Sequence, residues 1–234
     1  MNRQVVIDTE TTGLDPEDGH RIVEIGCIEL TTNHIPTGRY LQFYINPERD
    51  VPSEATAVHG LTNQFLADKP VFSQIYTEFL DFVKDARLII HNAEFDMKFI
   101  NWELKQVGHS AIPWSRVTDT LQIARQKFPG SPANLDALCR RFGIDNTERT
   151  YHGALLDSEL LAEVYLELMG GRQHGLGLGT KTVEETAIKK TVQSQRAFRE
   201  ARIYAPSAEE LMAHKTLLEK IKNPLWSKIL GRAS

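Results

Sequence analysis

The 234-residue sequence predicts an α/β layered domain, a mixed sheet covered by helices, followed by a linker and a helical tail. Three observations carry this reading. Three stretches rich in β-branched and aromatic residues follow one another before residue 47, with short turn-forming segments between them. Strand-like and helix-like apolar patterns then alternate to about residue 171. Residues 173–180 (QHGLGLGT) break both patterns with three glycines in eight positions, the composition of a flexible linker. The expected divisions are a domain over 1–172, a linker over 173–182 and a C-terminal segment over 183–234.

The first strands are Gln4–Glu10 (QVVIDTE), Arg21–Leu30 (RIVEIGCIEL) and Arg39–Asn46 (RYLQFYIN), and their short connections favour an antiparallel meander. After the loop from Pro47 to Pro52, Ser53 and Thr62 are each placed to cap a short helix. Phe72, Ile75, Phe79, Phe82 and Val83 recur at helical spacing. Leu88–His91 is a short apolar strand; Asn92 then caps a helix whose apolar face holds Phe95, Phe99 and Trp102. Val117–Asp119 reads as a last strand leading into a helix that Pro129 stops. Asn134–Phe142 is a helix closed by Gly143, and His152–Met169 is one ended by Gly170 and Gly171. Beyond the linker, Val183–Arg202 is helix-compatible, and Ser207–Glu210 (SAEE) is a capping box opening a helix that Pro224 stops.

With 41% apolar and 25% charged residues the chain can bury a core, which excludes disorder throughout. No apolar run approaches the roughly 18 residues of a membrane span. Asp8 and Glu10 stand where a signal peptide would be apolar, so a cytoplasmic protein without membrane contact is expected. Two cysteines, Cys27 and Cys139, exclude a disulfide framework and make a zinc site untenable. The net charge of −4 hides an asymmetry: from residue 172 onward there are 12 Lys and Arg against 6 Asp and Glu, leaving 15 against 25 before it. So acidic a body binds nucleic acid poorly unless metal ions or another protein help.

Asp8 and Glu10 alternate onto one face of a strand, where two carboxylates repel each other and call for a cation or a compensating network. Asp96 lies in HNAEFD, in the first turn of a helix, and Asp157 lies in HGALLDSELL among four leucines. His152 precedes Asp157 by five positions, about 140° around an ideal helix, so the two converge only if His152 sits on the loop leading in. A loop histidine beside carboxylates suits general-base work near neutral pH. Removing one carboxylate from such a cluster relieves repulsion, so replacing Asp8 or Asp157 by Ala is expected to hold or raise stability without metal.

The blocks DTETTG, HNAEFD and HGALLD, with VHG at Val58–Gly60 and NLDAL at Asn134–Leu138, resemble the DEDDh exonucleases over residues 4 to about 170. In wording and length the chain is most similar to the epsilon (DnaQ-type) proofreading exonucleases of bacterial DNA polymerase III. The resemblance implies a ribonuclease H-like fold, 3′–5′ exonuclease activity and two divalent cations, Mg²⁺ or Mn²⁺. It implies that Asp8 bridges both ions, Glu10 and Asp157 complete the first site, Asp96 holds the second partly through water, and His152 takes a proton from the attacking water. Thr11, Leu14, Glu54 and His59 would hold the 3′-terminal nucleotide, with His91 and Phe95 shaping the pocket. Implied partners are a DNA 3′ end, the polymerase catalytic (alpha) subunit, the sliding clamp and a small theta-like subunit.

Within the tail, Val192–Trp226 resembles the polymerase-docking end of these subunits. Leu211, Leu218 and Ile221 fall near one helix face, and Leu217 and Trp226 add apolar surface. Gln173, Leu176 and Leu178 match the glutamine-then-aliphatic peptides that dock on sliding clamps. Two other readings compete: an RNA-trimming exonuclease of the same fold, and a scaffold whose nuclease is dead. The polymerase-docking tail argues against the first, and the complete carboxylate set against the second.

Overall fold

The computed structural model describes residues 3–147, 149, 151–171 and 206–221. They belong to two units, Met1–Leu178 and Gly179–Ser234. In the first, β1 (Gln4–Thr11), β2 (Ile22–Leu30) and β3 (Pro36–Tyr44) form the antiparallel meander, and β4 (Arg87–Ile90) and β5 (Val117–Asp119) join in parallel. The strand order is β3-β2-β1-β4-β5, so β1 is central and β3 an edge. The third strand begins and ends earlier than Arg39–Asn46, because Asn46 leaves the sheet to bond the backbone of Pro70 and Ala67.

The helices are α1 (Ser53–His59), α2 (Asn63–Leu66), α3 (Phe72–Val83), α4 (Ala93–Gln106), α5 (Thr120–Lys127), α6 (Leu135–Phe142) and α7 (Ala154–Leu168). Thr62 and Asn134 cap α2 and α6 through their side chains as expected. Ser53 does not cap α1; Pro52 holds the cap position and Ser53 is the first helical residue, a place where the fixed φ of proline leads into the helix without a side-chain bond. Asn92 does not cap α4 by its side chain either. Its backbone is left-handed (φ 60°), and its N–H donates to Asp119 Oδ1 at 3.2 Å, tying the β4–α4 turn to the end of β5.

Alternation along β1 assigns its residues to two cores. Val5 and Ile7 face Phe72, Phe79, Phe99 and Ile100 of α3 and α4; Val6 faces Leu138 of α6 and Leu161, Val164 and Leu168 of α7. The sheet is thus the middle of three layers, and Asp8 and Glu10 continue the row of Val6 toward α7. A second unit contributes α8 (Ala208–Lys220), opened by the Ser207/Glu210 capping box; it ends at Lys220, ahead of Pro224. The linker, Val183–Arg202 and residues 222–234 lie outside the described residues.

Candidate active site

Three elements bring the acidic residues together at the C-terminal ends of parallel strands β1 and β4. Asp8 and Glu10 stand on the α7 face of β1, and Asp157 projects from the first turn of α7. Asp96, in the first turn of α4 on the opposite layer, reaches over the strand end: its Oδ1 accepts from Thr9 N at 3.0 Å and from Thr9 Oγ1 at 2.7 Å. His152 is not helical. Gly153 occupies the cap position of α7, leaving His152 on the preceding loop, where its N–H donates to the Val58 carbonyl at 3.0 Å. Its Nδ1 lies 3.4 Å from Asp157 Oδ2.

The electrostatics are those of like charges crowded away from water. Burial first, then the charges of Asp96, Asp157 and Glu10, raises the carboxyl of Asp8 well above its ordinary range. Burial and the charges of Asp157, Glu24 and Asp96 push Glu10 up to about 8. Asp96 is pushed up to about 7, chiefly by burial and against the bonds from Thr9. Asp157 goes the other way. Burial would raise it, but hydrogen bonds from His152 and Arg149, together with their charge, hold it below the usual carboxylate range. Ligand atoms of Glu10, His152 and Asp157 all lie within 4.8 Å of one another. An oxygen-rich donor set in which three of the four carboxylates resist ionisation fits hard divalent cations.

Arg149 went unnoticed in the sequence. Its guanidinium, almost buried, donates to both oxygens of Asp157 at 2.6 Å and to Asp136 Oδ1 at 2.7 Å, and lies 2.8 Å from His152 Nδ1. The available signal was an arginine three residues before His152, in a body whose acidic surplus demands compensation.

Two cavities meet here. One of about 500 Å³ is lined by Asp8, His91, Asp96, Arg149, His152 and Asp157. The other, of about 570 Å³, is lined by Thr11, Leu14, Glu54, Val58 and His59. Thr9, Glu10 and Phe95 border both. All six residues expected around the nucleotide therefore line one cavity or the other. His59 Nδ1 accepts from Leu61 N at 3.0 Å, which places the proton of the neutral ring on Nε2; that atom is buried with no partner among the described residues. Burial also keeps the ring neutral by lowering its pKa. His91 bonds Thr120 through Nδ1 at 2.9 Å, which orients it at the pocket wall.

Leu211, Leu217 and Ile221 of the α8 region are 54%, 56% and 47% exposed, and Leu218 is half-buried. Gln173, Leu176, Leu178 and Trp226 lie outside the described residues. No helix among the described residues is long and apolar enough to cross a membrane.

Residues 5–165 match the family model described as Exonuclease. The chain is 50% identical over 222 residues to DNA polymerase III subunit epsilon of Rickettsia felis, covering 94% of this chain and 96% of that one. It is 43% identical over 243 residues to the same subunit of Pasteurella multocida, covering 98% and 95%. Among solved structures, Exonuclease X in complex with 5′ overhanging duplex DNA superposes with a TM-score of 0.56 at 24% identity, covering 71% of this chain and 90% of that one. The nuclease domain of 3'hExo, a DEDDh family member, bound to rAMP, gives 0.62 at 20%, covering 72% and 92%. These likenesses establish the ribonuclease H-like exonuclease fold. With its acidic cluster, its matched family model and relatives alike over nearly their whole length, the chain belongs to the epsilon subunits of bacterial DNA polymerase III, the DnaQ-type branch of the DEDDh exonucleases.

Proposed function

We propose that the chain carries out its family's 3′–5′ exonuclease reaction at the Asp8, Glu10, Asp96, Asp157 and His152 cluster, and does so as the proofreading subunit of a replicative polymerase. One observation carries the site: four carboxylates and a histidine from β1, α4 and the α7 region converge beside a cavity lined by Glu54 and His59. Asp8, Glu10 and Asp157 would hold one divalent cation, Mg²⁺ or Mn²⁺, and Asp8 and Asp96 a second. When bound, such ions supply positive charge for the phosphate and the departing 3′ oxygen and lower the pKa of water. His152 would accept the proton of that water, its ring oriented by Asp157 Oδ2 at 3.4 Å and the Arg149 guanidinium at 2.8 Å from Nδ1. Phe95 and Leu14 offer apolar surface to the terminal base, Glu54 offers a polar contact to the sugar and phosphate side, and the buried His59 ring forms part of the same cavity wall.

The division into 1–172, 173–182 and 183–234 serves assembly. The tail would bind the polymerase catalytic subunit through Leu211, Leu217, Leu218, Ile221 and Trp226, since Leu211, Leu217 and Ile221 stand exposed on or beside a short helix among the described residues. Gln173, Leu176 and Leu178 would engage the sliding clamp, and a small theta-like subunit would complete the core. Such a complex belongs in the bacterial cytoplasm.

The test is a labelled primer with a mispaired 3′ end, incubated with the purified chain and Mg²⁺ or EDTA. Release of 3′ nucleotides should need the metal and vanish in Asp8→Ala. His152→Ala should lower turnover by about 10² or more with little change in binding. Full activity in EDTA, or a His152→Ala enzyme with wild-type turnover, would overturn the mechanism.

A further inference from the structure

A second buried carboxylate, Glu24, stands beside the site and takes no part in the chemistry above. It is only 2% exposed, and it lies directly across the β1–β2 ladder from Glu10. A buried acid next to another acid is costly, and the repulsion is visible, because Glu24 helps to raise Glu10 and is itself raised by burial. Its hydrogen bonds show what offsets the cost. Gln42 Nε2 donates to its Oε1 at 2.8 Å, and the backbone N–H groups of Ala154 and Leu155 lie against the same carboxylate and stabilise its charged form.

Those two N–H groups open α7, whose cap residue, Gly153, offers no side-chain acceptor. Glu24 therefore caps α7 from a neighbouring strand. Two further contacts fix the same junction. Gly26, paired with Asp8, lets the helix come so close that an added Cβ would stand 2.3 Å from the carbonyl of Ala154; Ser158 Oγ donates to Gly26 O at 3.1 Å. One turn of α7 is thus pinned to the β2 residues opposite Asp8 and Glu10, and that turn carries Asp157.

We propose that Glu24 is a positioning residue: by capping α7 it sets Asp157 against Asp8 and Glu10 at the separation that cation binding requires. The proposal rests on the metal-binding reading above. The shared carboxylate also explains why an acid serves here, since a carboxylate complements the positive end of the helix dipole and can accept several N–H bonds at once.

Three variants of the full chain separate this role from a merely electrostatic one. Glu24→Gln keeps an acceptor at the same reach, and the Gln42 amide can turn over to match it. Glu24→Asp keeps the charge but is one methylene short of α7. Glu24→Ala removes both. Mn²⁺ affinity, read by electron paramagnetic resonance, should fall about tenfold or more in Glu24→Ala and Glu24→Asp and stay within about threefold in Glu24→Gln. Hydrogen exchange at the Ala154 and Leu155 amides should quicken in the same order, and kcat on single strands should fall with KM held. If Glu24→Asp binds Mn²⁺ like wild type while Glu24→Gln does not, charge and not anchorage is at work and the proposal fails. Unchanged amide exchange in Glu24→Ala would overturn it equally; should that variant not fold, the Asp and Gln pair still decides. Asp157→Asn is the control for the underlying reading: if it retains full Mn²⁺ affinity, the metal site itself is misassigned, whatever Glu24 does.

Discussion

Asp8 and Asp157, alike by their motifs, differ in what surrounds them. Asp8 is opposed by three carboxylates, whereas Asp157 holds a nearly buried arginine by two bonds. The expectation that removing either acid relieves repulsion therefore survives for Asp8 alone. In EDTA, Asp8→Asn should hold or raise the melting temperature. Asp157→Ala should lower stability by about 1–3 kcal/mol, since two N–H groups of the nearly buried guanidinium lose their acceptors while Asp136 still pairs it; thermal melts of the two variants check both signs. The raised acids also set a pH dependence. Glu10 moves from an ordinary 4.5 to about 8 and Asp96 from 3.8 to about 7, so between those limits the folded state holds protons that the unfolded state has released. Stability of the metal-free protein is thus greatest at the acidic end of that window and falls as pH rises through about 7 to 8. Mn²⁺, which competes with those protons, should raise the melting temperature more at pH 8 than at pH 6. A melting temperature in EDTA that climbs from pH 6 to 8 would contradict the shifts. The motif residues were legible because their wording is distinctive. Glu24 was not, since it acts through contacts with β3 and α7, remote along the chain, and Arg149 was not, since only the folded loop brings its guanidinium onto Asp157 and Asp136. In addition β2 is buried along its whole length, so alternation could not mark Glu24 as special.

Elements were read most securely where periodicity was strong. Helix α3 was legible because aromatic and aliphatic positions from Phe72 to Val83 recur on one face, and α6 because Asn134 and Gly143 bracket it. Boundaries failed where tertiary contacts ruled. Strand β3 shifted because Asn46 bonds the α2–α3 connection, whereas α7 begins after His152, at the break Gly153 permits, and packs on β2 at Gly26. That helix–strand contact is also the most sensitive joint in the domain. Gly26→Ala puts a methyl into the backbone of Ala154, so it should destabilise by about 1–3 kcal/mol and lower Mn²⁺ affinity. Chemical denaturation and metal titration measure the two effects, and a variant as stable as wild type would show that α7 can yield.

At the scale of the whole molecule, the sequence sets an acidic body before a basic tail. Deleting 183–234 should leave hydrolysis of free single strands nearly intact while abolishing co-purification with the polymerase catalytic subunit. A tail that served DNA directly would instead raise KM and flatten the salt dependence. Replacing Gln173, Leu176 and Leu178 with Ala should weaken clamp binding in a mixture of the three proteins and leave the exonuclease rate unchanged. The order of the metal-binding residues along the chain has a consequence for biosynthesis. Of the cluster residues Asp8 and Glu10 are made first and Asp157 last, so the cluster would close only when α7 docks on β1 and β2. A chain truncated before Ala154 should bind Mn²⁺ poorly even where the sheet has formed. The growing polypeptide would thus stay chemically silent toward nearby nucleic acid until α7 is in place, and cleavage would mark a folded sheet domain.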